Sequence, residues 1–310
     1  RDYYASRGLG DVYKRQMQDR LRNERRRMGM KTGLVMEGGA MRGMFTAGVI
    51  DIMMEHKMEF DGAIGVSAGA VFGCNYKSKQ PGRVIRYNAA YCNNPHYAGV
   101  ASLLRTGDIF GEQFCYHDIP DRLDPFDFDT YRNNPLPFYV VATDLETGKA
   151  VYHRVDDCDE EGMKWLKASA SMPLVSKIVE VDGYKLLDGG IADSIPVQYM
   201  ESQGYERNVV ILTQPEGYVK GKNQLMPMIR VVLRKYPKMI DAMEHRHEHY
   251  NETLEYIRKK EKEGDLFVIR PPKPIAVSKV EHDRQKLLVA YRSGRETMKG
   301  QVRKLQEFLQ

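Results

Sequence analysis

No run of about 18 consecutive apolar residues occurs in the chain, so no membrane-spanning helix is expected. A charged-then-apolar leader of the secretory type is also missing, which sets the expectation of a cytoplasmic protein. Cysteine is sparse: Cys74, Cys92, Cys115 and Cys158 are scattered, without a C-x-x-C pair. That spacing argues against a zinc or dithiol centre and for buried free thiols in a reducing compartment. What remains is 42% hydrophobic and 29% charged over 310 positions. This is the composition of a globular protein with ample surface to bury, as one large domain or two smaller ones.

The formal net charge of +5 hides a division. Residues 1–31 carry a net +6, residues 32–224 a net −8 and residues 225–310 a net +7. Basic ends can favour anionic surfaces such as lipid headgroups or nucleic acid. Solvated helical faces explain them more simply, and no nucleic acid is expected as a partner. Residues 1–31 show no apolar periodicity and are expected to be a disordered or loosely helical extension. The stretch from Arg1 to Gln16 reads as sequencing-adaptor read-through rather than evolved protein, and Met17, Met28 and Met30 can each serve as the start.

Thr32 to Glu37 reads as a buried strand, Met44 to His56 as a helix and Phe60 to Val66 as a second strand. A parallel βαβ crossover brings both strand ends to one sheet edge. The loop Gly38-Gly39-Ala40-Met41-Arg42-Gly43 therefore lies beside Gly65-Val66-Ser67-Ala68-Gly69. The second stretch is a G-x-S-x-G elbow, with Ser67 on a strand-to-helix turn and Gly65 and Gly69 where side chains would collide. Ala68 opens the helix, so its N–H faces the place where an oxyanion would form. A nucleotide phosphate is the other candidate for the loop. The dinucleotide fingerprint, however, needs glycine at Ala40, and the P-loop needs Gly-Lys-Ser/Thr.

Further on, Phe138 to Thr143 and Ala150 to Arg154 read as strands, and Gly162 to Ala170 as a helix. A hairpin of Ser176 to Val181 and Tyr184 to Leu187 runs into Asp188-Gly189-Gly190. Residues 78–135 are expected to cover the site, with Tyr87, Tyr91, Tyr97, Leu103, Leu104, Ile109, Phe110 and Phe114 as an apolar wall. After a strand over Asn208 to Thr213 the chain turns Lys/Glu-rich and helical, with one more strand at Asp265 to Arg270. Its amphipathic helices are expected to pack on the core rather than form a basic platform for membrane lipid.

Four blocks in order carry a resemblance: Glu37-Gly-Gly-Ala-Met-Arg-Gly43, Gly65-Val-Ser-Ala-Gly69, Ala168-Ser-Ala-Ser-Met-Pro173, and Asp188-Gly-Gly190 followed by Pro196-Val197. Across roughly residues 32–215 the chain resembles the patatin-like phospholipases. The resemblance implies a three-layer α/β catalytic domain over residues 32–215, its mainly parallel sheet between helices, with an α-rich C-terminal subdomain over 216–310. It implies a serine acyl hydrolase of the lipase/phospholipase A type, with Ser67 as nucleophile and Asp188 as base without an intervening His. Gly38, Gly39 and Ala40 would hold the oxyanion, Arg42 and Gly43 would end that loop, and Gly189 and Gly190 would shape the Asp turn. The substrate would be a lipid ester or phospholipid reached by peripheral membrane contact, without metal or cofactor. Ala40 departs from the family's usual third glycine, and its N–H stays useful where its φ suits a residue with Cβ.

An ordinary Asp, with a pKa near ~3.9, is a weak base, so partial burial of Asp188 is expected to raise it. The order Ser, Asp, His of α/β-hydrolases is a rival, since His245, His247, His249 and His282 follow Asp188. His247 falls on the stripe of Met239, Ile240, Met243, Tyr250, Leu254 and Ile257 and reads as packed. His245 and His249, an i, i+4 pair, read as solvent-exposed rather than metal-binding. A non-catalytic lipid-binding or regulatory protein and an acyltransferase using the same dyad are the competing functional readings.

Overall fold

The computed structural model describes residues 30–310; the adaptor-like stretch, Met17 and Met28 lie outside the described residues. Strands β1 (Lys31–Met36), β2 (Gly62–Val66), β3 (Phe138–Asp144), β4 (Ala150–Arg154), β5 (Val179–Val181), β6 (Tyr184–Asp188), β7 (Tyr205–Ile211) and β8 (Leu266–Ile269) form one sheet. Its order is β5-β6-β3-β2-β1-β7-β8, with β4 paired to β3 off this path. The strands from β3 through β8 along this order are parallel, and β4, β5 and β6 pair antiparallel. Along β1, Leu34 and Met36 join one core while Val35 joins the other, all fully buried. Apolar residues on both sides of one strand are what a sheet covered on two faces requires. β7 begins at Tyr205, earlier than its apolar run suggests, because the left-handed turn at Gly204 (φ 82°) releases the chain there.

The helices are α1 (Gly43–Glu55), α2 (Ala68–Lys77), α3 (Arg83–Tyr91), α4 (Val100–Thr106), α5 (Phe128–Asn133), α6 (Glu160–Ser169) and α7 (Val197–Ser202). They continue with α8 (Met226–Val232), α9 (Pro237–Glu263), α10 (Arg284–Lys299) and α11 (Val302–Phe308); a π-helix spans Phe114–Leu123. Phe45 and Val49 of α1, Cys74 of α2, Trp165 of α6 and Met298 of α10 bury against one sheet face. Met200 of α7 and Tyr250, Leu254 and Ile257 of α9 cover the other. The result is the three-layer architecture expected.

Residues after 215 are built into these layers. β8 adds a parallel strand beside β7. α10 lies on α1 with almost no side chain between: a Cβ on Gly48 would fall 2.1 Å from the Tyr291 carbonyl oxygen, and one on Gly294 2.0 Å from that of Phe45. Any larger residue at either position would force the helices apart. No helix among the described residues is long and apolar enough to cross a membrane.

Candidate active site

The site follows from strand register. Val66, the last residue of β2, pairs with Val141 of β3, so Ser67 comes level with Ala142. On the far side of β3, Ala142 pairs with Asp188 at the end of β6. Ser67 and Asp188, 121 residues apart in sequence, thus reach across one strand, and the Ser67 hydroxyl donates to Asp188 Oδ2 at 2.7 Å.

Ser67 sits at φ 54°, ψ −122°, a backbone position costing a non-glycine residue on the order of 1–3 kcal/mol. The surroundings impose it. Its N–H donates to Ser169 Oγ at 2.9 Å, and a Cβ at Gly65 or Gly69 would strike backbone oxygens at 2.3 Å. Ala68 follows in the first turn of α2.

Asp188 is held as firmly. Its second oxygen accepts from Gly190 N–H at 2.7 Å, its own N–H donates to the Ser171 carbonyl at 2.8 Å, and its carbonyl accepts from Thr143 Oγ1 at 2.9 Å. Gly189 packs on β3, where a Cβ would lie 2.0 Å from the Val141 oxygen. Burial pushes the Asp188 carboxyl above the ordinary carboxylate range. Opposing it are the charge of Arg246, the hydrogen bonds from Ser67 and Gly190, and the charge of Lys279.

The glycine loop stands over the pair. A Cβ on Gly38 would approach Ser67 Cβ to 3.0 Å, so this loop lies directly against the serine. Gly43 packs equally closely on Ala68 and Phe72, where a Cβ would lie 2.9 Å from each side chain. The N–H groups of Gly38, Gly39, Ala40 and Ala68 donate to no acceptor among the described residues. Ala40 adopts φ 49°, the left-handed region that favours glycine, and opens the short 3-10 turn Ala40–Arg42. Glu37 braces the loop from behind. Its buried carboxylate accepts from Thr213 N–H and Thr213 Oγ1 and, at 2.5 Å, from the Tyr250 hydroxyl. Arg42 has a buried Nε without a hydrogen-bond partner, and Arg246 donates from Nε to the Gly190 carbonyl. Lys220 lies 4.2 Å from the Tyr250 ring centre, and burial pushes its ammonium down to about 8.

From Ser67 an apolar cavity of about 120 Å³ runs inward. Ser67, Val71 and Cys74 line it from one face of α2, about 10 Å of helix. Phe126, Cys158, Met163 and Leu166 also line it, and Tyr87, Tyr97 and Phe110 wall it as expected. The remainder of the expected wall is elsewhere: Tyr91, Leu103, Ile109 and Phe114 do not line the cavity, and Leu104 is 83% exposed. Cys115, Tyr116, Ile119 and Pro120 of the π-helix take their place. Burial pushes the Cys74 thiol up to about 12, so it is a neutral wall rather than a nucleophile.

No histidine hydrogen-bonds to Ser67 or Asp188 among the described residues. His245 Nδ1 lies against the Asp241 carbonyl, His247 Nδ1 against that of Glu244, and His282 Nδ1 against that of Cys92. His247 is packed, its side chain 15% exposed, whereas His245 and His249 face solvent. The supporting roles of Ser169, Thr143 and Glu37 were not read from sequence. The Ala168-Ser-Ala-Ser-Met-Pro173 block was the only signal for the first of them.

Among known proteins, the patatin-like phospholipase family model matches residues 34–200, and a domain of unknown function, DUF6363, matches residues 236–310. The Escherichia coli (strain K12) protein YjjU is 28% identical over 79% of this chain and 70% of its own length. Lysophospholipase NTE1 of Chaetomium globosum is 28% identical over 58% of this chain but only 12% of its own. A Caenorhabditis elegans protein named as a putative patatin-like phospholipase domain-containing protein, M110.7, is 25% identical over 68% of this chain, which spans 19% of that relative. VipD from Legionella pneumophila superposes with a TM-score of 0.44 at 12% identity, covering 88% of this chain and 67% of its own. The family model spans more than half of the chain and runs from the strand before the glycine loop to the helix beyond Asp188; this protein belongs to the patatin-like phospholipase family.

Proposed function

We propose that this protein is a serine acyl hydrolase of lipid carboxyl esters, working through Ser67 and Asp188 and a covalent acyl-enzyme. One observation carries the reading: the Ser67 hydroxyl donates to a buried carboxylate at 2.7 Å, at the head of an apolar cavity. Ser67 Oγ attacks the ester carbonyl carbon as its proton passes to Asp188. The carbonyl electron pair moves to oxygen, where the free N–H groups of Gly38, Gly39, Ala40 and Ala68 stabilise it, each worth about 3 kcal/mol. Collapse expels the alcohol, which takes the proton from Asp188. Water then attacks the acyl-enzyme, giving its proton to Asp188, and the second collapse frees the acid and restores Ser67.

Burial of Asp188 suits this role, because a raised carboxyl is a better base while Gly190 N–H keeps it aimed. The cavity along Ser67, Val71 and Cys74 fits an acyl chain of medium length. A cytoplasmic setting belongs to the same proposal. The test is hydrolysis of p-nitrophenyl esters of increasing chain length, then phospholipids, with fluorophosphonate labelling mapped by peptide mass. Turnover that vanishes with Ser67→Ala, and label on Ser67, are expected. Turnover that survives Ser67→Ala sinks the reading.

A further inference from the structure

Eleven large hydrophobic side chains are exposed among the described residues, and five of them, Val219, Leu225, Met228, Val231 and Val232, fall within 14 consecutive positions. Helix α8 has two apolar faces. Met226 and Ile229, with Leu233 just beyond, are buried in one cluster with Leu187 and Ile191, the residues that flank Asp188-Gly189-Gly190. Leu225, Met228, Val231 and Val232 face outward, each more than half exposed. A stable water-soluble helix normally puts polar residues there. The interleaved residues are cations: Lys222, Arg230, Arg234, Lys235 and Lys238 are exposed, and no Asp or Glu occurs from Gly217 to Ile240. Arg230 pairs with Glu244 at 2.6 Å, while Lys222, Arg234, Lys235 and Lys238 form no salt bridge among the described residues.

We propose that α8 and its flanking loops are a docking surface for an anionic lipid bilayer. The complementarity is twofold. The exposed apolar side chains can enter the acyl boundary, and the cations beside them meet lipid phosphates. Because the inner face of α8 packs around the Asp188 turn, docking would bring the bilayer beside Ser67. This surface is separate from the dyad, so it stands or falls independently of the proposed hydrolysis.

The experiment is co-sedimentation of the full chain carrying Ser67→Ala, which removes turnover, with vesicles of mixed phosphatidylglycerol and phosphatidylcholine or of phosphatidylcholine alone. Binding is expected to the mixed vesicles, to weaken as salt is added, and to be slight on the neutral ones. Adding Arg234→Glu and Lys235→Glu is expected to weaken it about 30-fold or more, because each basic residue near an anionic surface contributes roughly a factor of five. Leu225→Ser with Val231→Ser is expected to weaken it at least about 10-fold. The same pairs in the Ser67 background should leave thermal melting and turnover of a soluble short-chain ester unchanged. All variants keep the basic residues of the N-terminal segment, so the differences report on this patch. Equal binding by parent and variants would overturn the proposal. So would a dimer dissolved by Val231→Ser without vesicle binding, which would assign the face to a second copy of the chain.

Discussion

The two sides of the Ser67–Asp188 pair are made of different materials. Toward α2 and the π-helix lies a mainly apolar cavity walled by Val71, Phe72, Tyr87, Tyr97 and Ile119, with Arg83, Asp108 and Lys167 also on its lining. Around the glycine loop and the Asp188 turn stand Arg42, Lys220, Arg246 and Lys279, none of which lines that cavity. The first side comes from chain segments between residues 40 and 176; three of the four cations come from beyond residue 215. An amphipathic ester has the same division, an acyl tail on one side of its carbonyl and a polar head on the other. Under the proposed hydrolysis, the segments up to residue 176 would receive the tail, and the segment beyond residue 215 would set the charge around the base.

The comparison breaks outright if the pair between the two sides is inert. Ser67→Ala and Asp188→Asn are each expected to lower kcat/KM by about 10³-fold or more with the fold intact, measured on a p-nitrophenyl ester. On the apolar side, Cys74→Trp shortens the cavity. Turnover of long-chain esters should fall about 10- to 100-fold while acetate esters change within about twofold, with roughly 1–3 kcal/mol lost to overpacking. An unchanged chain-length profile would take the acyl chain out of this cavity.

Behind the loop, Glu37→Gln replaces an acceptor of three hydrogen bonds by a group that must turn a donor toward one of them. A loss of about 2 kcal/mol in urea unfolding is expected, with weakened turnover from a loosened loop. On the charged side, Arg246→Met sharpens the contrast through pH. Burial raises the Asp188 carboxyl and Arg246 opposes the rise. Removing the guanidinium should therefore raise it further, and since the base works deprotonated, the acid limb of kcat/KM should move to higher pH. A limb that stays in place would show that Arg246 does not act on the base. The smallest effect is at Ala40, whose φ of 49° favours glycine. Ala40→Gly should stabilise the fold by about 0.5–1 kcal/mol, read by calorimetry, with activity kept.

Much of this was legible in the chain. Short apolar runs gave β1, β2 and β3, the G-x-S-x-G elbow singled out Ser67, and the resemblance to the patatin-like phospholipases singled out Asp188 within its Asp-Gly-Gly turn. The wall of the cavity was legible only in part. Leu104 and Ile119 look alike in sequence, yet Leu104 is 83% exposed and Ile119 is 2% exposed in the cavity lining. Which of them turns inward depends on how the π-helix and α4 pack against the rest of the fold.

By itself, then, the sequence determined the order of strands and helices, the two tight turns and the two residues they present. These are local properties of glycine, chain reversal and apolar period. Tertiary structure decided the rest. Only the register across β3 sets Ser67 and Asp188 at 2.7 Å. Only packing of α9 and the 213–220 segment against β1 supplies Thr213 and Tyr250 to Glu37 and cations to the rim. Distances between residues remote along the chain are fixed by which surfaces bury together, and no local pattern encodes that.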